Sequence, residues 1–463
     1  MAKFEVAMVP WLAIGHITPF IHIANELAGR GHRISILLPN NTALRLQHLI
    51  LHPNLINIHT IILADIEGLP IGAETASDMP EDPMGHPLAV AIDLTRAQVE
   101  EHLSKTKPHF VFHDLVHWIP DITKQLGLIS VCFHVISAAS LAMPLVLQRI
   151  VPEITTLTQE DLSKLPNDFP ASFINQLRGY DRYEFVHSLL HISRSPGVGI
   201  ASFYDRIFIS MKNCDVLSIR TCRELEDGFC DFIGNHYGKP LLLTGSVLPE
   251  LVITPLEDRW ANWLGGFEAD TVVFCAFGSQ LVLEKDQFQE LVLGFELTGL
   301  PFFIALKPPI GCQTIEEALP EGFEERVRGR GVVHGGWVQQ PQILSHPSVG
   351  CFVNHCGFGS MWESLMSDKQ VVLVPHLGDQ VINTNLLVEE LKVAVKVERE
   401  DKGWFTKESL SKAIKSVMNR DSEVGILVKK NHVRLKEVLG KPGFTSGYID
   451  KFVLGLHEIV NQK

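Results

Sequence analysis

Residues 337–380 read WVQQPQILSHPSVGCFVNHCGFGSMWESLMSDKQVVLVPHLGDQ, and this stretch contains the pattern that decides the fold. Residues 350–354 and 370–375 are short apolar runs with the composition of buried strands. A glycine-containing turn at residues 355–360 follows the first run, and a helical stretch leads from it to the second. A strand, a helix and a further strand in this order form the unit of a parallel sheet with helices on both faces.

The same alternation extends outward from this stretch in both directions. In the second half of the chain, further strands are predicted at residues 271–276, 301–307 and 393–397, and helices at 285–297 and 383–391. In the first half, strands are predicted at residues 5–10, 33–39, 55–63, 109–113, 131–135 and 215–219, and helices at 19–29 and 88–105. The sequence therefore predicts an α/β fold with two doubly wound parallel sheets.

The length of the chain and its loop residues predict two domains. A chain of 463 residues is too long for one hydrophobic core, and two domains of roughly 200 residues each are expected. Residues 243–255, LTGSVLPELVITP, have the proline and glycine content of a connector. We therefore predict domains at residues 1–242 and 256–440, and a last helix at 441–463 that packs back on the first domain. A ligand is expected in the cleft between them, at the carboxyl ends of the strands.

Composition and charge argue against several classes of protein. The formal net charge is −13 and no dense Lys/Arg cluster is present, so binding to nucleic acid or anionic lipid is not expected. The longest apolar tract, residues 131–147, is interrupted by histidine, serine and proline, so a membrane span is not expected either. The cysteines form no CxxC pair, which indicates free thiols in a reducing compartment. We expect a cytoplasmic monomer.

The turn at residues 355–360 has the features of an anion site. Backbone N–H groups and the positive end of the following helix point at the exit of the strand, which suits a diphosphate. His355 is a further candidate donor, and Ser360 is expected to cap the helix. Glu363 lies three residues further on, in the predicted first turn, where its carboxylate suits a ribose diol. A capping box formed by Ser360 and Glu363 explains the local sequence equally well.

Three more side chains of this stretch are candidates for ligand contacts. Trp337 is large enough to stack on a flat base, although a lone tryptophan is more often a core residue. Asp379 and Gln380 follow Gly378 after the second strand, and they offer acceptors and donors that suit sugar hydroxyls. Their alternative role is turn chemistry before the next helix.

A candidate general base lies in the first half of the chain. A histidine with a carboxylate behind it can take the proton of a hydroxyl near neutral pH. His16 follows the first strand and a glycine, and Asp114 lies at the end of the fourth strand, so both belong to the carboxyl edge of the sheet. Against this, the chain has 21 histidines, and a solvated turn is the alternative environment for Asp114.

An acceptor pocket would be lined by apolar residues that follow strands or lie in the irregular segment at residues 152–209. By position these are Trp11, Trp118, Phe133, Met143 and Phe203. Each of them has plain core packing as its alternative role.

The stretch at residues 337–380 resembles the signature box of the plant UDP-sugar-dependent glycosyltransferases of family 1, in its length, both its ends and its HCG…S..E core. A weaker resemblance spans essentially the whole chain and includes GHITP at residues 15–19 and FGS at residues 277–279. The resemblance implies the GT-B fold, in which two Rossmann-like domains face each other, the first binding the acceptor and the second the UDP-sugar. It also implies a donor site made of Thr18, Ser279, Trp337, the Val338 backbone, Gln340, His355, Gly357, Phe358, Gly359, Ser360, Glu363, Asp379 and Gln380.

The resemblance further assigns roles within that site. Trp337 stacks on uracil, Glu363 binds ribose, and Ser279, His355 and Ser360 contact the diphosphate, while Asp379 and Gln380 hold the donor sugar. His16 and Asp114 are then the catalytic pair of a single in-line displacement that inverts the anomeric centre. The helix that follows Gly357 stabilises the departing UDP, so no metal and no cofactor is expected.

Two positions depart from the commonest pattern of the family, with Phe358 where tryptophan is usual and Gly359 where asparagine is usual. The segment HCGFGSMWES at residues 355–364 resembles the corresponding segment of the branch-forming subgroup, whose flavonoid or terpenoid acceptors already carry a sugar. The resemblance favours glucose as the donor sugar, with xylose or rhamnose as alternatives.

Two other functions are compatible with the same architecture, namely a sugar-nucleotide epimerase and a UDP-sugar-binding protein without activity. A dehydrogenase is not expected because no GxGxxG follows the first strand. A metal site is not expected because neither HExxH nor zinc-ligand spacing occurs.

Overall fold

The computed structural model of the protein describes residues 3–79, 82, 85–166, 169–170, 177–195, 197, 199–248, 255–400 and 402–462. Within these residues the strands of the first sheet are β1 (Glu5–Val9), β2 (Arg33–Pro39), β3 (Ile56–Ile61), β4 (Phe110–His113), β5 (Ile129–His134), β6 (Val216–Ile219) and β7 (Leu241–Leu243). Those of the second sheet are β8 (Val272–Ala276), β9 (Phe302–Ala305), β10 (Gly331–His334), β11 (Val349–Asn354), β12 (Gln370–Leu373) and β13 (Val395–Lys396). Both sheets are parallel, with the orders β3-β2-β1-β4-β5-β6-β7 and β10-β9-β8-β11-β12-β13.

Helices connect the strands and cover the sheets. In the first half they are α1 (Ile14–Gly29), α2 (Asn40–Leu46), α3 (His86–Leu94), α4 (Arg96–Thr106), α5 (Ile119–Leu126), α6 (Ala138–Leu147), α7 (Gly179–Ile192), α8 (Phe203–Asn213) and α9 (Arg223–Tyr237). In the second half they are α10 (Asp258–Leu264), α11 (Lys285–Thr298), α12 (Phe323–Arg326), α13 (Gln340–Ser345), α14 (Phe358–Met366), α15 (Gly378–Asn385), α16 (Lys407–Met418), α17 (Glu423–Leu439) and α18 (Phe444–Gln462). Among the described helices, none combines the length and the apolar character that crossing a bilayer requires. The two doubly wound sheets confirm the predicted fold class.

The strand order explains where a ligand site can form. In the first sheet, β1 pairs with β2 on one side and with β4 on the other, with Val9 level with His113. In the second sheet, β8 lies between β9 and β11, with Ala276 level with Asn354. At such points the connections on the two sides diverge, which leaves a crevice at the carboxyl ends of the central strands.

The central strands are buried on both faces because helices cover both. Met8 and Phe112 pack on one face with Phe20 of α1, whereas Val9 and Val111 pack on the opposite face, with α3 and α5. This explains why these strands read as continuous apolar runs rather than as alternating ones. All eight cysteines are free, and all of them except Cys312 are buried.

The last helix crosses from the second half to the first sheet. Phe452 of α18 is 1% exposed, and its ring lies 6.0 Å from the ring of Phe112. At the start of α18, the hydroxyl of Thr445 lies 3.3 Å from that of Ser246, which follows β7. In the predicted linker, Leu243 is the last residue of β7, and residues 249–254 lie outside the described residues.

Three local predictions differ from the structure. The helix predicted at residues 88–105 is two helices, α3 and α4, which meet at Thr95, whose hydroxyl donates to the carbonyl of Ile92. Helix α1 begins at Ile14 rather than at Pro19, so the proline lies inside it. Strands β7 and β10 were not predicted, because both are short, half-buried edge strands without a long apolar run.

Candidate active site

His16 and Asp114 meet at the carboxyl edge of the first sheet. His16 lies in the first turn of α1, and Asp114 directly follows β4, the strand next to β1. The Nδ1 atom of His16 lies 2.5 Å from Oδ2 of Asp114, and the second carboxylate oxygen accepts from the N–H groups of Trp11 and Leu115, each at 2.7 Å. Asp114 is 1% exposed, so it is not a solvated turn residue.

This contact prepares His16 to act as a base. A carboxylate that accepts from Nδ1–H leaves Nε2 as the basic nitrogen, and the side chain of His16 is 23% exposed. The neighbouring His113 and His134 differ, because burial lowers the pKa of His113 to about 3 and that of His134 to about 4. Among the described residues, no three His, Cys, Asp or Glu side chains are grouped so as to hold a metal ion.

A sharp turn after β11 leads to the start of α14. Cys356 has a φ of 59°, and its backbone is held by Asn354 Oδ1, which accepts from its N–H at 2.9 Å, and by Asn383 Nδ2, which donates to its carbonyl at 3.0 Å. Helix α14 then begins at Phe358, and its N-cap residue is Gly357. The first N–H groups of the helix are therefore presented at the sheet edge, as an anion site requires.

The structure corrects the predicted caps of α14. Ser360 lies inside the helix rather than at its N-cap, and no described side chain caps the helix. Glu363 lies beyond the first turn and accepts from Nε2 of Gln340 at 2.6 Å. The capping box of Ser360 and Glu363 is therefore wrong, because the helix begins three residues earlier than an N-cap at Ser360 would require.

His355 is enclosed by two glycines. A Cβ atom at Gly278, which has a φ of 69°, would lie 3.0 Å from the His355 ring, and one at Gly357 would lie 2.7 Å from it. Burial lowers the pKa of His355 to about 4, so its imidazole is neutral and has one N–H to donate. Its Nδ1 atom is buried without a hydrogen-bond partner among the described residues.

The residues predicted to bind the nucleoside lie together beside β10 and α14. Trp337 is 76% exposed, so it is not a core residue and its faces are free to stack. Val338 is buried next to it, and Gln340 at the start of α13 joins this segment to Glu363. Burial raises the pKa of Glu363, and hydroxyl donors such as those of a ribose would favour its charged form.

The predicted sugar-binding pair lies in the first turn of α15. The side chain of Gln380 is buried, and its Oε1 accepts from the N–H of His376 at 2.9 Å, which leaves its NH₂ group to donate. Asp379 is half-buried, and burial raises its pKa. The charge of His16 acts in the opposite direction on the pKa of Asp379, so these two residues lie within electrostatic range of each other.

Two contacts between the halves of the chain were not predicted from the sequence. Ser77 of the first half donates to the hydroxyl of Ser279 at 3.3 Å, and its carbonyl accepts from Lys307 Nζ at 3.2 Å. Lys307 is the last residue of the strand predicted at residues 301–307. A lysine at the carboxyl end of a strand was the one sequence feature that could have indicated this contact. Burial lowers the pKa of Lys307.

Comparison with known proteins decides the family. A sequence profile described as "UDP-glucoronosyl and UDP-glucosyl transferase" matches residues 328–439. UDP-glycosyltransferase 79B6 of Arabidopsis thaliana is 53% identical over 99% of this chain and 98% of its own length. Anthocyanidin 3-O-glucoside 2'''-O-xylosyltransferase of Arabidopsis thaliana is 52% identical, over 99% and 98% of the two chains. The chain belongs to the UDP-glycosyltransferases.

Solved structures agree with the fold of this glycosyltransferase. UGT89C1 of Arabidopsis thaliana superposes with a TM-score of 0.75 and 20% identity, covering 98% of this chain and 100% of that one. UGT73P12 of Glycyrrhiza uralensis, complexed with glycyrrhetinic acid 3-O-monoglucuronide, superposes with a TM-score of 0.78 and 19% identity. The superposition covers 100% of this chain and 97% of that one. The enzyme therefore has the GT-B fold, and membership of the family leaves the epimerase and the inactive binding protein without support.

The two unusual positions of the glycosyltransferase have different surroundings. Phe358 is 4% exposed and packs edge-on against Trp362, with their ring centroids 6.2 Å apart. Gly359 is exposed, and a Cβ atom built on it meets nothing within 4 Å. The usual asparagine would therefore fit at residue 359 without any rearrangement.

The five predicted acceptor walls of the glycosyltransferase are all buried, so the structure supports none of them as an exposed pocket wall. The ring centroids of Trp11 and Phe203 lie 5.2 Å apart in an edge contact, and the backbone N–H of Trp11 donates to Asp114 of the predicted catalytic pair. Phe133 is fully buried against Phe20, between the sheet and α1, and Met143 is fully buried in another cluster, so neither is supported as a pocket wall. Trp118 is also buried, and its Nε1 donates to Asp93 at 2.9 Å.

Proposed function

We propose that this enzyme transfers a sugar from a UDP-sugar to a hydroxyl group with inversion at the anomeric carbon. The observation that carries the proposal is the contact of His16 with Asp114 at 2.5 Å, at the carboxyl edge of the first sheet and within electrostatic range of Asp379. Nε2 of His16 takes the acceptor proton while the acceptor oxygen attacks the anomeric carbon from the face opposite UDP. Asp114 holds the tautomer and stabilises the imidazolium that forms.

The leaving diphosphate is stabilised by the second domain. The N–H groups at the start of α14 and the neutral ring of His355 act as donors to it, and the helix dipole favours its negative charge. These donors are fixed before the reaction, so they stabilise the charge that develops on UDP without reorganising. We therefore propose that the reaction needs neither a metal ion nor a cofactor.

The donor sugar is proposed to be glucose. Asp379 accepts hydroxyl protons and the NH₂ group of Gln380 donates to hydroxyl oxygens, which suits a sugar with several equatorial hydroxyls. Xylose and rhamnose are the alternatives, because one or two hydrogen bonds decide between such sugars. The name of the 52% identical relative specifies xylose as the sugar that it transfers.

The acceptor is proposed to be a small flavonoid or terpenoid glycoside, with the new bond formed to a hydroxyl of its sugar. The name of the same relative specifies an anthocyanidin 3-O-glucoside as acceptor, which supports a branch-forming reaction here.

A screen of UDP-glucose, UDP-xylose and UDP-rhamnose against paired glycosides and aglycones tests this proposal. Mass spectrometry of the products identifies the donor and the acceptor, and the anomeric proton coupling in NMR reports the configuration. A β-linked glucoside from the α-linked UDP-glucose is the expected product. Retention of configuration, or turnover of aglycones alone, contradicts the proposal.

A further inference from the structure

Helix α7 connects the two halves of the molecule. It belongs to the irregular segment between β5 and β6 of the first domain, yet it packs against α15 of the second. Near the start of α7, Asp181 accepts from Lys396 Nζ at 2.6 Å and from Asn385 Nδ2 at 3.3 Å. The side chain of Asp181 is 11% exposed, so this end of the helix is held on the second domain by a mostly buried ion pair.

The other end of α7 contacts the beginning of α15. The hydroxyl oxygen of Ser188 accepts from the N–H of Gly378 at 2.9 Å. The approach is close, since a Cβ atom at Gly378 would lie 2.8 Å from the Cβ of Ser188. Because Gly378 is the first residue of α15, its N–H would otherwise have no partner within the helix. A serine of the first domain therefore accepts the first N–H of α15, the helix of the second domain that carries Asp379 and Gln380.

The orientation of Ser188 is itself fixed. Its O–H donates to Glu184 Oε1 at 2.6 Å, and the other oxygen of Glu184 accepts from the hydroxyl of Tyr180 at 3.2 Å. Glu184 and Tyr180 are buried, so this chain of hydrogen bonds along one face of α7 is shielded from water. The lone pair of Ser188 is thereby left pointing at Gly378.

Arg399 links Tyr180 to His376, the residue whose backbone contacts Gln380. The guanidinium of Arg399 lies 5.0 Å from the Tyr180 ring, and its Nη2 atom lies 3.2 Å from Nε2 of His376. The backbone N–H of His376 in turn donates to Gln380 Oε1. Helix α7 therefore holds the turn at residues 376–380 from two sides.

We propose that Ser188 is a positioning residue for the donor sugar: it fixes the first turn of α15 so that Asp379 and Gln380 present their side chains to the sugar hydroxyls. This inference rests on the proposed role of Asp379 and Gln380. It adds a residue of the acceptor domain to the determinants of donor recognition, although Ser188 does not touch the donor. Uridine and the diphosphate contact other elements, β10, α13 and α14, so UDP binding does not depend on Ser188.

The variant Ser188→Ala, assayed in the full-length enzyme, separates these two effects. We expect the KM for the UDP-sugar that the enzyme uses to rise about three- to twelvefold, as for the loss of one buried hydrogen bond, with the affinity for UDP by calorimetry unchanged. Gly378→Ala should show the same pattern, because its Cβ atom forces Ser188 and α15 apart. Ser193→Ala is the matched control, since Ser193 directly follows the same helix and its hydroxyl donates to the carbonyl of Leu189 within that helix.

The outcomes distinguish the inference from the function on which it rests. A wild-type enzyme that turns over no UDP-sugar overturns the proposed function. Wild-type turnover with an unchanged donor KM in both Ser188→Ala and Gly378→Ala overturns the positioning role alone. Equal weakening of UDP and UDP-sugar binding also overturns it, because that pattern indicates a general loss of structure rather than a misplaced sugar site.

Discussion

At the residue scale, His16 is the proposed general base. Replacing it with alanine removes that base and leaves the second domain untouched, so we expect kcat to fall about 10²- to 10⁴-fold. UDP should bind with unchanged affinity, which calorimetry measures. His48→Ala is the control, because His48 is exposed and its ring contacts the nearby carbonyl of Arg45. Transfer at a near-normal rate by His16→Ala would show that another group takes the proton.

Gly359 offers a second residue-scale prediction. Because its Cβ position is open, Gly359→Asn should fold normally and add an amide donor beside the diphosphate. We expect the Kd for UDP to fall about three- to tenfold, as for one hydrogen bond to a charged group. Gly278→Ala should do the opposite, since it combines a φ of 69° with a contact of 3.0 Å to His355. Unchanged UDP binding in Gly359→Asn would place the diphosphate elsewhere.

The contact of His16 with Asp114 was predictable because each of them follows a strand of the same sheet edge, whereas Trp337 was a candidate through its size and the family resemblance. The structure decides between their alternative environments by burial, since Asp114 is enclosed and Trp337 is exposed. The catalytic roles themselves stay predictions. Ser188 was not found, because its partner Gly378 lies 190 residues away in the chain, and no local pattern indicates such a contact.

At the element scale, the fully buried strands were predictable, whereas the half-buried edge strands β7 and β10 were not. The runs that became β4, β8 and β11 are buried at every residue, because helices cover both faces of each sheet. β7 has three residues and β10 has four, all half-buried, and they are strands only because a neighbour supplies their hydrogen bonds. The start of α14 was misplaced for a similar reason. Serine is a better cap than glycine in isolation, but the turn at Cys356 fixes where the helix begins.

Helix α18 gives a prediction at this scale. Phe452→Ala removes a fully buried ring from the interface with the first sheet, and we expect the free energy of unfolding to fall by about 3–5 kcal/mol. Urea denaturation followed by circular dichroism measures this loss. Leu454 lies on the same helix but is 46% exposed, so Leu454→Ala should cost about 0.5 kcal/mol or less. Equal losses in the two variants would mean that α18 does not pack as described.

At the scale of the whole molecule, the ion pair of Lys396 and Asp181 joins the domains through α7. Lys396→Met leaves the mostly buried Asp181 without its cation, and we expect a loss of about 1–3 kcal/mol, discounted for the partial exposure of Lys396. Scanning calorimetry should then resolve two transitions where the wild type shows one. Lys412→Met is the control, because its pair with Glu398 is more than two-thirds exposed on both sides. A single, unshifted transition in Lys396→Met would mean that α7 does not couple the domains.

The two places where the chain passes between the domains lie side by side, since the hydroxyls of Ser246 and Thr445 are 3.3 Å apart. A separation of the two domains would therefore pivot about this corner, where both chain crossings lie. It would also have to break the contacts of α7 with the second domain, at Ser188 with Gly378 and at Asp181 with Lys396. Entry of a bulky glycoside between the domains is thus coupled to the release of α7 from α15.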